Sequence, residues 1–350
     1  MKLLCFIMFW ALTTSLYGVE TSAAKGPFKV GTKTVKLKGL TTQIFYPGQP
    51  TNAKNYRFDL REYLPSREQS KIPVDADPFM DCDCVEGLAL ADQSQPWPIA
   101  IYVHGAAGFR TASANLAAAI ASQGFVVIGA DHPWIQLKDI LKYPRLGMLI
   151  SNQKRDVQKI LTAIRENDSR LTFLGDLAKD NIALIGHSAG SGAVAALSGE
   201  KGVTAVVSMA GNGSIQRPIP KLIMGGMDDG LIRFGAQENT YEASSKPKVL
   251  AGLERAGHLA FTDICALMPR YGGILEAAIK FGVDVPDLVN SLGKDGCEEG
   301  DLDARKGWEV INYGVTQFLL DAMITGKKDG SNLLNWKDQF PEIEVFKIDY

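Results

Sequence analysis

Short apolar runs recur along the chain, separated by stretches whose apolar residues fall at helical spacing. Phe28–Leu40 and Thr42–Tyr46 read as strands that end at "YPGQP", a turn. From Pro98 a regular alternation begins. The strands Pro98–Val103 ("PIAIYV"), Phe125–Ala130 ("FVVIGA"), Ile182–Ile185, Val203–Ala210, Lys221–Met224 and Lys248–Leu253 are apolar on successive positions, not on alternate ones. Between them, Ala112–Ser122 reads as a small-residue helix. Asn152–Glu166 reads as a second, with Val157, Ile160, Leu161 and Ile164 on one face, and Ala189–Leu197 as a third. Continuous apolar strands joined by helices imply a mostly parallel sheet buried on both faces, the doubly wound α/β class. Two segments interrupt it. Tyr56–Trp97 is polar and dotted with proline, and Ile264–Asp301 carries helical pieces. Leu302–Thr325 reads as a long closing helix. The expected organisation is a leader over residues 1–24 and one domain over 25–350, with insertions at about 56–97 and 264–301.

Composition narrows the class. The 350 residues are 46% apolar and 22% charged, and the net charge is −2. No basic excess suggests nucleic acid or an anionic membrane as partner. Met1-Lys2, the apolar run Leu3–Leu12 and the small residues Ser22, Ala23 and Ala24 fit a signal peptide cut between Gly18 and Ala24. The run is too short for the roughly 20 residues a spanning helix needs. A secreted, periplasmic or extracellular location follows, with no stable membrane insertion. Cys82, Cys84, Cys265 and Cys297 remain after such a cut, an even count that suits disulfides. Cys265–Cys297 is the expected pair, because it flanks one segment. Cys82 and Cys84 stand too close for an easy bridge, and "DCDC" lacks the second ligand pair that a zinc site would use.

The chemistry concentrates at "IALIGHSAGSG", Ile182–Gly192, where a buried strand runs into a serine with a glycine two residues away on each side. A sharp strand-to-helix turn would hold Ser188 in an unusual backbone conformation. Gly186 and Gly190 would remove the side chains that otherwise collide. The dinucleotide pattern fails for want of a third glycine, and the phosphate-binding lysine is absent. A serine hydroxyl needs a base. Of His104, His132, His187 and His258, only His258 follows Ser188, in "ERAGHLAF". The acid should close a strand between them. "KLIMGGMDDGLI" offers Asp228 and Asp229, and the register from Leu222 favours Asp229. An oxyanion needs backbone donors. Ala189 N–H follows the nucleophile, and Ala106 in "VHGAAGF" is the second candidate. Trp134 and His187 are candidate substrate-binding residues at the rim. For His187 the alternative is a hydrogen-bonded packing role under the turn, and for Trp134 ordinary rim packing. His104, His132 and His187 all end strands, but no fixed spacing or supporting carboxylate makes them a metal site. Ile264–Asp301 is either a lid or pocket wall, or a helical layer remote from the site.

These segments resemble the secreted serine esterases of the α/β-hydrolase superfamily. The closest likeness is to the branch of dienelactone hydrolases, platelet-activating-factor acetylhydrolases and cutinase-like polyester hydrolases. The matching stretches are "GPFKVGTKTVKL", "IFYPGQP", "PIAIYVHGAAGF", "VVIGADHPW", "IGHSAGSGAV", "GGMDD" and "AGHLAFTDIC", from Gly26 to Cys265. The resemblance implies an α/β-hydrolase fold with a helical insertion after the histidine. It implies a triad of Ser188, Asp229 and His258, and an oxyanion hole of Ala106 and Ala189. Dienelactone hydrolases use a cysteine where Ser188 stands, and polyester hydrolases carry an aromatic residue where His187 stands. A general carboxylic-ester hydrolase is therefore the expectation: a monomer acting on a small-molecule ester or lipid-like substrate without a cofactor. The alternatives are a thioesterase or lipid deacylase on the same triad, and a secreted binding protein that keeps the fold without catalysis.

Overall fold

Ile99, Ile101 and Val103 point to one side of their strand, Ala100 and Tyr102 to the other, and all five are buried. Period-two alternation with both sides apolar needs cover on both faces of a sheet. The computed structural model, which describes residues 25–327 and 330–350, supplies that cover. The expected leader, residues 1–24, lies outside the described residues.

Among the described residues, twelve strands follow in chain order: β1 (Lys29–Leu37), β2 (Leu40–Gly48), β3 (Arg57–Asp59), β4 (Phe79–Asp81), β5 (Val85–Glu86), β6 (Trp97–Val103), β7 (Val126–Ala130), β8 (Leu177–His187), β9 (Val203–Met209), β10 (Lys221–Gly226), β11 (Lys248–Leu253) and β12 (Ile343–Asp349). Ten form one sheet in the order β12-β11-β10-β9-β8-β6-β7-β2-β1-β5, and β3 and β4 pair separately. From β7 to β11 every pairing is parallel. The β1–β2 hairpin, turning at Lys38-Gly39, adds antiparallel strands on one flank, and β12 adds one on the other. On one face, Ala100, Tyr102, Ala183 and Ile185 pack with helices Ala114–Ser122 and Ala304–Leu319. On the other, Ile99, Ile101, Ile182 and Leu184 pack with helices Gln153–Arg165 and Ala189–Leu197. The doubly wound class expected from the sequence is therefore present.

Three features differ from expectation. The C-terminal strand β12 is half-buried without a clean alternation, so the sequence pattern does not announce it, and among the described residues it pairs with β11 alone. The closing helix starts at Ala304, where the Asp303 carboxylate caps the amides of Arg305 and Lys306, and it ends in a π-helical turn over Leu320–Thr325. Cys82 and Cys84, judged too close to bridge, do form a disulfide. Their Cα atoms are 5.1 Å apart, within the ordinary span for such bonds. The Cys265–Cys297 bridge is present as expected.

Both insertions pack against the rim where the parallel strands end. From the first, the Tyr63 ring stacks on Phe109 at 4.2 Å and Glu62 accepts a hydrogen bond from Arg110. From the second, Val285 and Val289 pack with Ile140, Leu141 and Ala107. Glu68, almost fully buried, joins the two insertions by accepting from Lys71 and from the Asp284 amide.

Candidate active site

β8 ends at His187, and helix Ala189–Leu197 begins two residues later. Ser188 bridges them at φ 54°, ψ −122°, a left-handed setting that a non-glycine residue adopts only when its surroundings impose it. The imposition is visible. The Ser188 N–H donates to Met209 O, and the Ser191 hydroxyl donates to Gly186 O and Met209 O, so the turn is pinned to β8 and β9. A Cβ on Gly186 would lie 2.5 Å from Gly190 O, and one on Gly190 would lie 2.1 Å from Val103 O. The flanking glycines are thus required by close backbone approach, and the serine hydroxyl is lifted off the helix end that it would otherwise cap.

His258 meets it. The His258 Nε2 atom lies 2.8 Å from Ser188 Oγ, and Nδ1 lies 2.8 Å from Asp229 Oδ2. The carboxylate can only accept, so the ring proton sits on Nδ1 and Nε2 is left to accept from the serine hydroxyl. Asp229 is buried, whereas Asp228 is exposed. The second Asp229 oxygen accepts from the amides of Leu231 and Ile232, which fixes the carboxylate on its own turn. Asp229, not Asp228, therefore faces the imidazole.

The backbone donors have a definite setting. In the loop after β6, the Ala107 N–H goes to Ile135 O and the Gly108 N–H to Gly105 O, while Gly108 O receives the Leu137 N–H. Among the described residues, the Ala106 and Ala189 amides donate to no protein acceptor. His104 braces this loop from beneath: Nε2 accepts from the His132 amide, so Nδ1 carries the proton and donates to Gly105 O at 2.7 Å. Burial, with His132 and His187 nearby, drives the His104 imidazole down to about 3, so it stays neutral. His132 is fully buried and lies 3.5 Å from the Asp156 carboxylate. Among the described residues, no cluster of three metal-ligating side chains occurs.

Of the two candidate substrate contacts, Trp134 stands 40% exposed at φ 73°. It adjoins Ile135, whose carbonyl accepts the Ala107 N–H of the loop after β6. His187 lies beneath the turn, packed beside His258. It is buried, and its Nε2–H donates to the His258 carbonyl at 3.1 Å. Burial first, then the neighbouring His258, push the His187 imidazole down to about 3. The packing alternative is the one the geometry favours.

No sequence pattern marks Asp295, which accepts the His258 amide through Oδ1 at 2.6 Å and the Gly230 amide through Oδ2 at 2.9 Å. Nor does any mark Asp263, buried beside the start of helix Ala114–Ser122, where Oδ2 accepts from the Asn115 amide. Burial raises the Asp263 carboxyl to about 7 against the pull of that amide contact. An aspartate in a polar loop carries no local signal of either role.

Comparison with known proteins agrees with the fold. The family model for platelet-activating factor acetylhydrolase, isoform II, matches residues 13–134, about a third of the chain. The match includes the loop of Ala106 and stops short of Ser188. A ferulic acid esterase from Streptomyces cinnamoneus superposes with a TM-score of 0.63 at 20% identity, over 85% of this chain and 91% of that one. No curated protein matches by sequence. The fold is that of an α/β-hydrolase, shared with that esterase.

Proposed function

We propose that the chain is a carboxylic-ester hydrolase working through an acyl-enzyme on Ser188. The observation that carries this reading is the unbroken hydrogen-bond chain from Ser188 Oγ through His258 to Asp229, at the end of a parallel strand where ligands of such sheets bind. His258 removes the serine proton as Oγ attacks the ester carbonyl, and the carbonyl oxygen becomes an oxyanion held by the Ala106 and Ala189 amides. The imidazolium, stabilised by Asp229, then protonates the departing alcohol. Water attacks the acyl-enzyme by the same route in reverse and releases the acid. Two amide donors in such a hole are together worth several powers of ten, since losing one typically costs about 10²–10³ in rate. This chemistry needs only side chains, amides and water. Trp134 is proposed as one wall for the acyl or alcohol group.

The family match and the esterase neighbour support an ester as substrate. We further propose that the mature chain, residues 25–350, is one exported monomeric domain. Two disulfides fit an oxidising compartment. Among the described residues no helix is long and apolar enough to cross a membrane.

A panel of chromogenic acyl esters of increasing chain length, with thioester and amide counterparts, tests the activity. Oxygen esters should be hydrolysed fastest, ahead of the thioester and amide counterparts. A folded chain that turns over none of them contradicts the reading.

A further inference from the structure

The imidazole and its carboxylate arrive on separate turns, one after β10 and one after β11. A lateral slip of either would break the 2.8 Å contact between them. The second insertion supplies a tie. One carboxylate, Asp295, accepts the main-chain N–H of His258 itself and the N–H of Gly230, the residue after Asp229. Its carbonyl accepts a third amide, that of Leu259. Amide bonds to an ionised carboxylate are among the stronger hydrogen bonds.

Two glycines show that the turns are shaped around this group. A Cβ on Gly230 would lie 2.8 Å from Asp295 Oδ2. One on Gly257 would lie 2.5 Å from Asp295 Oδ1 and 2.4 Å from the Gly296 amide nitrogen. Gly257, at φ −89°, holds a backbone conformation open to any residue. The absent side chain makes room for the Asp295 loop. The loop is anchored in turn, because Cys297, two residues on, is bridged to Cys265, seven residues after His258.

We propose that Asp295 is a positioning residue for the His258–Asp229 pair, seated by the Cys265–Cys297 bridge. It acts on the proton-transfer geometry and not on substrate binding. The inference rests on the reading of Ser188 as nucleophile.

Steady-state kinetics of the full chain on a soluble chromogenic ester test it, with Asp295→Ala, Asp295→Asn, Gly230→Ala and the double variant Asp295→Ala/Gly230→Ala. Misplacement of a reacting group by about 1 Å can cost on the order of 10² in rate. Asp295→Ala should accordingly lower kcat by about tenfold or more, with KM within about twofold. Asp295→Asn keeps one acceptor oxygen and should fall between wild type and Asp295→Ala. Gly230→Ala, whose methyl competes for the place of Oδ2, should reproduce the kcat loss. The double variant should be no worse than its worse parent, because both remove one tie. Should Asp295→Ala fail to fold, Asp295→Asn and Gly230→Ala carry the same test. An Asp295→Ala enzyme with wild-type kcat, a loss confined to KM, or losses that multiply in the double variant would overturn the proposal. An inert wild type that also resists a fluorophosphonate would overturn the hydrolase reading together with this one. An active wild type beside an equally active Asp295→Ala overturns this one alone.

Discussion

Asp229 divides its carboxylate between two tasks: Oδ2 faces His258 Nδ1 at 2.8 Å, and Oδ1 accepts the amides of Leu231 and Ile232. The second task makes the first possible, because a carboxylate tied to its own turn cannot rotate away from the ring. Replacing Asp229 with Asn keeps the shape but can present an N–H to Nδ1, which disfavours the tautomer that leaves Nε2 free to accept. Asp229→Asn should lose about 10⁴ in kcat by analogy with the serine-protease case. Asp228→Asn, on an exposed neighbour, should stay within about twofold. Equal losses in the two variants would show that the assignment within "MDDG" is wrong.

The glycines around Ser188 are not equivalent. Gly190→Ala would press a methyl to 2.1 Å of Val103 O, backbone against backbone, so the turn must open or the chain must misfold. Gly192 faces open space, its nearest neighbour being Asn212 O at 3.9 Å, and it lies inside helix Ala189–Leu197. Gly192→Ala should be neutral or stabilise by up to about 1 kcal/mol through helix propensity. Thermal melts of the two variants check the contrast, and a well-folded, active Gly190→Ala would contradict it.

How much of this could be read in the residues depends on the range of the contact. The strand–Ser188–helix turn is local. Its apolar run, glycine spacing and small-residue helix all lie within Ile182–Leu197, so class and nucleophile were legible. The choice of Asp229 over Asp228 rested on strand register, and β10 keeps that register up to Gly226. What stayed hidden is what joins distant loops. Asp295 lies 37 residues beyond His258. Glu62 and Tyr63 reach Phe109–Thr111 across the first insertion. The rings of His187 and His258 lie 5.0 Å apart, which a reading of strand ends cannot foresee.

His187 gives a prediction of a different kind. Burial holds it neutral down to about pH 3, so His187 should add no ionisation of its own to the pH profile of activity above that value. His187→Gln, which can still donate to the His258 carbonyl, should leave the acid limb of the kcat/KM profile where it was. His187→Ala, which leaves that carbonyl unpaired and opens a void, should cost stability by about 2 kcal/mol or more. A second ionisation present in wild type and missing in His187→Gln would refute the first half.

Asp263 should make stability depend on pH. Its carboxyl titrates near 7 when folded, against 3.8 as the ordinary value. Between those values the folded chain holds a proton that the unfolded chain has released, so this group's contribution is whole below about pH 4 and is lost as pH rises through 7. Asp263→Asn can still accept the Asn115 amide but carries no charge. Its melting temperature relative to wild type should therefore climb from pH 4 to about pH 7 and level off above it. A difference that stays flat across that window would show that the buried carboxyl does not titrate there.

The most direct measurement is intact mass and peptide mapping after a fluorophosphonate is added to the folded chain at neutral pH. The account predicts one adduct, on Ser188, formed quickly in wild type, slowed by orders of magnitude in His258→Ala and absent in Ser188→Ala. A wild type that remains unmodified while folded, or one modified at another residue with Ser188 intact, would contradict it.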